Sequence, residues 1–460
     1  MTLVAPENRT GESECRASTT SPCSSASSGS ASGRSSPSSS AAIPLPSTCA
    51  TTTRPSRKGP QAGAAPTGHA SPELRLLTFS TLYPNPAQPN HGVFVENRLR
   101  HLVASGGAES TVLAPVPWFP GRTPARAAVP EAEERHGLTV LHPRFLAPPG
   151  LGMYTNPFAL ARAARAAMRR MLQSGLRFDA IDAHYLYPDG VAAVRLGREF
   201  GLPVVITARG SDTSQLPRHA VPRRLIQDAI ARADALIAVS GGLAEGLMAL
   251  GAPREKVTVL RNGVDLDLFR PPADRAAARA ALDLDGPTVV SVGLLISRKN
   301  HHLTIEAMAA LPGHRLLILG EGPERERLEA LIARLGLGDR VRLIGPQPHA
   351  ALPLYYGAAD AMVLASSREG WANVLLEALA CGTPVVASAA WGSREAIAAP
   401  EAGLVLDETS PATIAAGLRS LLSAPPDRGT TRRYAERFGW EETTMGQLDL
   451  FRRVLAGAAR

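Results

Sequence analysis

The chain has 460 residues, 44% hydrophobic and 20% charged, a soluble globular balance on a length that exceeds one core and predicts two domains with extras. No uninterrupted apolar run is long enough to span a bilayer, and the four cysteines (Cys15, Cys23, Cys49 and Cys381) have neither a disulfide framework nor metal-ligand spacing. The formal charge of +8, of which +3 falls in residues 1–72, suits anionic substrates or an anionic membrane surface, while Arg scattered among acids gives no nucleic-acid footprint.

Residues 1–72 are dominated by Ser, Thr, Ala, Pro and Gly and predict a disordered tail. They lack the apolar core of a secretory signal, and their acids argue against a transit peptide. From Leu74 short apolar runs alternate with amphipathic helices. LRLLTF (74–79) is the first strand, followed by a Pro- and Asn-rich loop ending in Gly92 and a helix marked by Val93, Val95, Leu99, Leu102 and Val103. TVLA (111–114), FDAIDAH (178–184), PVVIT (203–207), ALIAV (235–239) and KVTVL (256–260) continue the strand series. Residues 116–155 predict an irregular insertion with one weak strand near the sheet's edge. After Pro271-Pro272 a second series begins at PTVVSV (287–292), RLLIL (315–319), RVRLI (340–344), AMVLA (361–365), PVVAS (384–388) and GLVL (403–406).

The fold class is therefore α/β, with two Rossmann-like doubly wound domains (73–270 and 271–430) facing each other across a cleft. A helical segment at 431–460, with its helix from about Thr431 to Ala456, is expected to cross back to the first domain.

Several stretches carry chemistry. REGWANVLLEALACGTPVVA (368–387) reads as loop, helix, turn and strand: Gly370 relaxes the loop, Asn373 is placed to cap the helix, and Gly382-Thr383-Pro384 stops it. Glu369 and Glu377 stand eight positions apart across that junction, whose helix N-terminus can receive an anion. In VSVGLLISRKNHHL (290–303) a strand runs into a glycine turn and the basic pair Arg298-Lys299, cations placed for a diphosphate. LGEGP (319–323) carries only a lone G-x-G, which fits a tight turn with close approach of ligand or backbone. DAHYLYPDG (182–190) puts His184 at a strand tip, where it either caps or hydrogen-bonds a substrate hydroxyl. ARGSDT (208–213) brings Arg209 and Asp212 to the next strand end as acceptor-side groups, with a helix cap the alternative for Asp212. Arg162, Arg165 and Arg169 share a helix with Phe158, Leu160, Met168 and Met171, either one solvated and one core face or a surface for anionic lipid.

Together these motifs, with AVSGGLAEGLMALGAPREKVTVLRNGVDLDLF (238–269) and GEGPERERLEALIARLGLGDRVRLIGPQ (320–347), resemble retaining glycosyltransferases of family 4 with the GT-B fold, over residues 74–455. The resemblance implies that Glu377 holds the nucleotide ribose and Glu369 the donor sugar. It gives the backbone amides of Gly370, Trp371, Ala372, Asn373 and Val374 to sugar and diphosphate oxygens, Lys299 with Arg298 to the leaving diphosphate, and His184 to the sugar. Gly92 meets the diphosphate, and the loop from Gly345 to Gln347 contacts the base. It implies no cofactor and no divalent metal, the basic groups and helix dipole taking the metal's place. Two departures stand out. Leu294 occupies the position after the strand-end glycine where the family usually has Arg, and Trp371 replaces the commoner Phe or Tyr.

The expected reaction is transfer of a hexose from a UDP- or GDP-sugar to a hydroxyl of a glycan or lipid-linked acceptor. The expected setting is the cytoplasm or the inner face of the cytoplasmic membrane, in cell-surface or exopolysaccharide synthesis, with no nucleic-acid partner. The alternatives are a sugar-nucleotide epimerase or phosphorylase on the same fold, or an inactive sugar-binding relative. A dinucleotide oxidoreductase is disfavoured because no first βα turn carries the full glycine fingerprint.

Overall fold

Runs of Val, Ile, Leu and Ala buried along their whole length, such as VVITA (204–208), build sheets covered on both faces, as parallel strands require. The computed structural model describes residues 74–121 and 129–458, so the tail expected at 1–72 lies outside the described residues. In the first half, β1 (Leu74–Phe79), β2 (Ala108–Leu113), β3 (Val116–Trp118), β4 (Ala132–Arg135), β5 (Leu138–Leu141), β6 (Arg144–Leu146), β7 (Ala180–His184), β8 (Val204–Ala208), β9 (Ala235–Ala238) and β10 (Val257–Val259) follow one another. Eight of them form one sheet in the order β10-β9-β8-β7-β1-β2-β5-β4. All neighbours are parallel except β4 and β5.

The second half holds β11 (Thr288–Val292), β12 (Arg315–Leu319), β13 (Val341–Gly345), β14 (Ala361–Leu364), β15 (Val385–Ser388) and β16 (Gly403–Leu406). They form a six-stranded parallel sheet in the order β13-β12-β11-β14-β15-β16. Every expected strand from Leu74 on is present, with ends shifted by a few residues at most.

Two expectations are corrected. The insertion at 116–155 contains four strands instead of one: β5 and β4 extend the first sheet, and β3 pairs with β6 in a separate ribbon. Their alternation is masked in the sequence by Pro117, Pro143 and the acids of β4, of which Glu134 is exposed at the edge and Glu133 meets the buried His142. The C-terminal helix is not continuous from Thr431. A helix at Arg428–Ala435 packs on the second half, and Gly439, extended at φ −64° and ψ 170°, breaks the chain before a new helix at Trp440–Ala458. Gly263 abuts that break so closely that a Cβ would lie 2.8 Å from the Gly439 carbonyl carbon.

Four helices position the site: α1 (Val93–Ala104), α2 (Gly152–Gln173), α3 (Asn373–Ala380) and α4 (Trp440–Ala458). As expected, α4 crosses back to the first half, where Leu448, Leu450 and Phe451 join Leu76, Leu99 and Val112 in one buried cluster. Phe451 is fully buried there. Phe451→Ala is expected to lose about 3–5 kcal/mol, whereas Met445→Ala on the exposed face of α4 should change stability by less than about 0.5 kcal/mol. Denaturant unfolding of the two variants checks this, and equal losses contradict the docking of α4.

Candidate active site

In an open parallel sheet, ligands meet the carboxyl ends of strands where the strand order reverses. β1 lies between β2 and β7, and β11 between β12 and β14, so each half has such a point. The four loops that leave those strand ends carry Gly92, His184, Lys299 and Glu369.

On the second half, the loop after β11 and the loop after β14 meet. Lys299 Nζ lies 2.5 Å from Glu369 Oε1, and Arg298 Nη1 lies 3.9 Å from Oε2. Burial opposes the charged form of Glu369, but Lys299 and Arg298 outweigh it and hold the carboxyl below its ordinary value. Leu294, in place of the family's Arg, is half exposed. Gly320 and Gly322 sit under the same loop: a Cβ on them would lie 1.9 Å from the Gly293 carbonyl oxygen and 2.3 Å from that of Leu295. The lone G-x-G is thus a close approach of backbone to backbone.

Glu377 is on α3 and buried. Its Oε1 lies 3.2 Å from His349 Nε2, and its Oε2 accepts from the Tyr356 hydroxyl at 3.0 Å. Gly345 ends β13 at φ 88°, and Gln347, two residues on, is half-buried. Asn373 does not cap α3. It is the helix's first residue, the cap position falls to Ala372 without a side-chain bond, and Asn373 Oδ1 accepts from Asn262 Nδ2 at 3.3 Å. Trp371 is buried and donates its indole N–H to the Asn262 carbonyl at 3.0 Å, which points the ring at the linker between the halves. Val374 lies next on the same helix.

On the first half, Gly92 precedes α1 at φ 75°, and a Cβ there would lie 2.3 Å from the Leu82 carbonyl. The adjoining loop is pinned by Asp189, which accepts from Thr81 N at 2.7 Å and Thr81 Oγ1 at 2.9 Å; burial pushes that carboxyl up to about 7 in spite of both bonds. His184 is buried at the tip of β7, with Nδ1 2.6 Å from Arg209 Nη2 and Nε2 3.3 Å from Asp182 Oδ2. Both ring nitrogens are therefore engaged by the protein. Arg209 also donates to Asn262 Oδ1 at 3.1 Å and lies over the Phe94 ring. The Asp212 carboxylate accepts the main-chain amides of Leu186, Arg209 and Gly210 at 2.6 to 3.2 Å, so it ties together the loops that follow β7 and β8 and does not cap the short helix at Ser211–Ser214, whose cap position is Gly210.

The two halves touch at this point. A Cβ on Gly370 would lie 2.1 Å from the Arg209 carbonyl oxygen. Glu395 of the second half accepts from Gly241 N, the first residue of a helix in the first half, at 2.8 Å and pairs with Arg261. His349, Tyr356, Asp182 and Asn262 were not singled out by the sequence. A His four residues after Gly345 and an Asn inside RNGVDLDLF (261–269) were the available signals.

Two doubly wound halves meeting at their strand ends, with a lysine and an acid on neighbouring loops of the second half and another acid on the helix that follows, define a GT-B glycosyltransferase. A family profile described as Glycosyl transferases group 1 matches residues 274–438, and one described as Glycosyltransferase Family 4 matches residues 91–268. D-inositol 3-phosphate glycosyltransferase of Segniliparus rotundus is 32% identical over 432 residues, which cover 87% of this chain and 94% of that protein. Among solved structures, sucrose-phosphate synthase from Thermosynechococcus elongatus aligns with a TM-score of 0.70 at 24% identity, over 84% of this chain and 100% of that one. Anabaena HepE, in complex with UDP-glucose, aligns with a TM-score of 0.63 at 19% identity, over 83% of this chain and 99% of that one. The chain belongs to glycosyltransferase family 4 and is a glycosyltransferase.

Burial works against the His349 imidazolium, but Glu377 outweighs it and raises the pKa above 6.5. The folded state then binds that proton more tightly than the unfolded chain. The pair's contribution to stability is complete below the unfolded value of about 6.5 and is lost as pH rises through the folded value. His349→Gln should therefore lower Tm more at about pH 5.5 than at about pH 8.5. Thermal unfolding at both pH values checks this, and a pH-independent loss contradicts the pairing.

Proposed function

We propose that the enzyme transfers a hexose, with retention at the anomeric carbon, from a UDP- or GDP-sugar to a hydroxyl of a glycan or lipid-linked acceptor in cell-surface or exopolysaccharide synthesis. The observation that carries this is the contact of Lys299 with Glu369 at the strand-order reversal of the second half, with Glu377 on the helix that follows. Glu377, oriented by His349 and Tyr356, takes the ribose hydroxyls. Glu369 takes the sugar, and the amides from Gly370 to Val374 face sugar and diphosphate oxygens.

Charge develops on the diphosphate as its bond to C1 breaks. Lys299 and Arg298 neutralise it, Gly92 lets the backbone approach it, and no divalent cation or cofactor is required. The acceptor oxygen bonds C1 on the face the diphosphate leaves, and its proton passes to a phosphate oxygen. Glu369, ion-paired to Lys299, serves as a binding group and not as a nucleophile. Transfer from radiolabelled UDP- and GDP-sugars to a panel of lipid-linked glycans tests this, with D-inositol 3-phosphate included because the relative from Segniliparus is named for it. Loss of one cationic donor at the developing charge is worth about 3–4 kcal/mol, so Lys299→Ala should lower kcat by two to three powers of ten. EDTA should leave the wild-type rate unchanged. A near-normal kcat in the variant, or a rate abolished by EDTA, overturns the mechanism.

Among the described residues no helix is long and apolar enough to cross a membrane. A peripheral contact with anionic lipid at the inner face of the cytoplasmic membrane is favoured by exposed apolar side chains of the first half. Trp118 and Leu146 pair on the β3–β6 ribbon, and Leu151, Tyr154 and Phe158 follow at the start of α2, with Arg195 over the Phe158 ring. On α2 itself Arg162 is exposed, while Arg165 and Arg169 pair with Glu199. Trp118→Ser with Phe158→Ser should abolish co-sedimentation with phosphatidylglycerol vesicles while leaving neutral vesicles unbound as before. Unchanged co-sedimentation removes this surface from consideration.

A further inference from the structure

The C-terminal helix α4 carries a polar residue into the first half that neither the fold nor donor binding requires. Gln447 is 1% exposed and lies between Arg98 of α1 and Asp182 of β7. Arg98 Nε donates to Gln447 Oε1 at 2.8 Å. Arginine has only donors, so this bond fixes the amide's orientation and turns Nε2 toward Asp182, where it donates to Oδ2 at 2.9 Å. The same Oδ2 faces His184 Nε2 at 3.3 Å, and Asp182 Oδ1 has no partner among the described residues. Gln447 and His184 are thus the two groups that hydrogen-bond this buried carboxylate, whose charge is balanced by Arg98 and Arg209.

The other side of the ring is fixed in the same manner. Arg209 Nη2 lies 2.6 Å from Nδ1, which must accept and so carries no proton. The single proton of a neutral imidazole is then assigned to Nε2, toward Asp182. The charged groups that face His184 are Asp182 on its own strand, Arg209 after β8 and Arg98 on α1. Burial and the two arginines oppose an imidazolium, and Asp182 favours it; the balance holds the ring below its ordinary pKa.

We propose that Gln447 is a positioning residue for transfer: through Asp182 it holds His184 as the neutral Nε2–H tautomer, in the orientation that leaves Nδ1 to Arg209. The proposal rests on the reading of His184 as the residue beside the transferred sugar. It gives the return of α4 to the first half a role in the active site, because the helix that follows the donor-binding half completes the side-chain arrangement of the other half.

The sign of the perturbation follows from the bonds. Removing the Gln447 donor takes one hydrogen bond from Asp182, so the more basic carboxylate draws a second proton onto His184 more strongly. An imidazolium cannot accept from Arg209, and the arrangement is lost at a higher pH than in the wild type. Gln447→Met, close in volume and without a donor, should lower kcat about tenfold with donor KM within about twofold. It should also raise the acid limb of the kcat profile by about one pH unit. Gln447→Glu keeps an acceptor for Arg98 but sets a second carboxylate beside Asp182, so its limb should move further in the same direction.

Long-range 15N–1H correlation spectra of histidine-labelled protein, with His184 assigned against His184→Gln, read the tautomer without turnover. Wild-type His184 protonated at Nε2 near neutral pH, with a raised pKa in both Gln447 variants, is the expected result. A wild-type ring protonated at Nδ1, or variants whose His184 tautomer and pKa match the wild type while only Tm falls, overturns the proposal. Failure of the wild type to transfer any sugar counts against the proposed function, and the spectra still decide the role of Gln447.

Discussion

Arg98, buried, and Arg209, half-buried, gather around the Asp182 carboxylate, and arginine can only donate. Every neighbour must therefore present an acceptor: Gln447 Oε1, Asn262 Oδ1, the Leu260 carbonyl and His184 Nδ1. Once those are fixed, the remaining donors of Gln447 and Asn262 have one direction left, toward Asp182 and toward Asn373 at the start of α3. Burial lowers the pKa of Arg98 to about 10 and of Arg209 to about 9. One polarised network thus runs from the C-terminal helix through the first half to the helix of the donor clamp. Buried polar chains of this kind specify an arrangement because a half-satisfied one is costly.

The donor side follows a different rule. Its parts lie on loops that leave adjacent strands of one sheet, so β11 and β14 set the distance between Lys299 and Glu369 before any side chain adjusts. Glu377 projects from the helix after the second loop and is oriented by residues of a third segment, His349 and Tyr356. Opposite charges neutralise each other here without ligand. A diphosphate bound as proposed would compete with Glu369 for Lys299.

The sheets were legible because parallel strands buried on both faces are continuous apolar runs, and RLLIL and GLVL coincide with β12 and β16 to the residue. The insertion was not, since its strands are three or four residues long and interrupted by proline. Among the site residues, those at strand ends and in the E-x7-E stretch could be found by position. His349 and Asn262 could not, because their partners lie 28 and 111 residues away in the chain and only the fold brings them together. Gln447 was hidden by its surroundings: a glutamine on an amphipathic helix reads as solvated, and burial against Arg98 is a tertiary fact. Asn373 shows the opposite failure, since a residue with strong capping propensity was drawn instead into the side-chain network.

Where Gly370 meets the Arg209 carbonyl, the second half contributes no side chain to the contact. A long side chain ordered at such a seam gives up as much as about 2 kcal/mol of rotamer freedom, and glycine gives up none. The close approach at position 370 is consequently made without side-chain ordering on the second half.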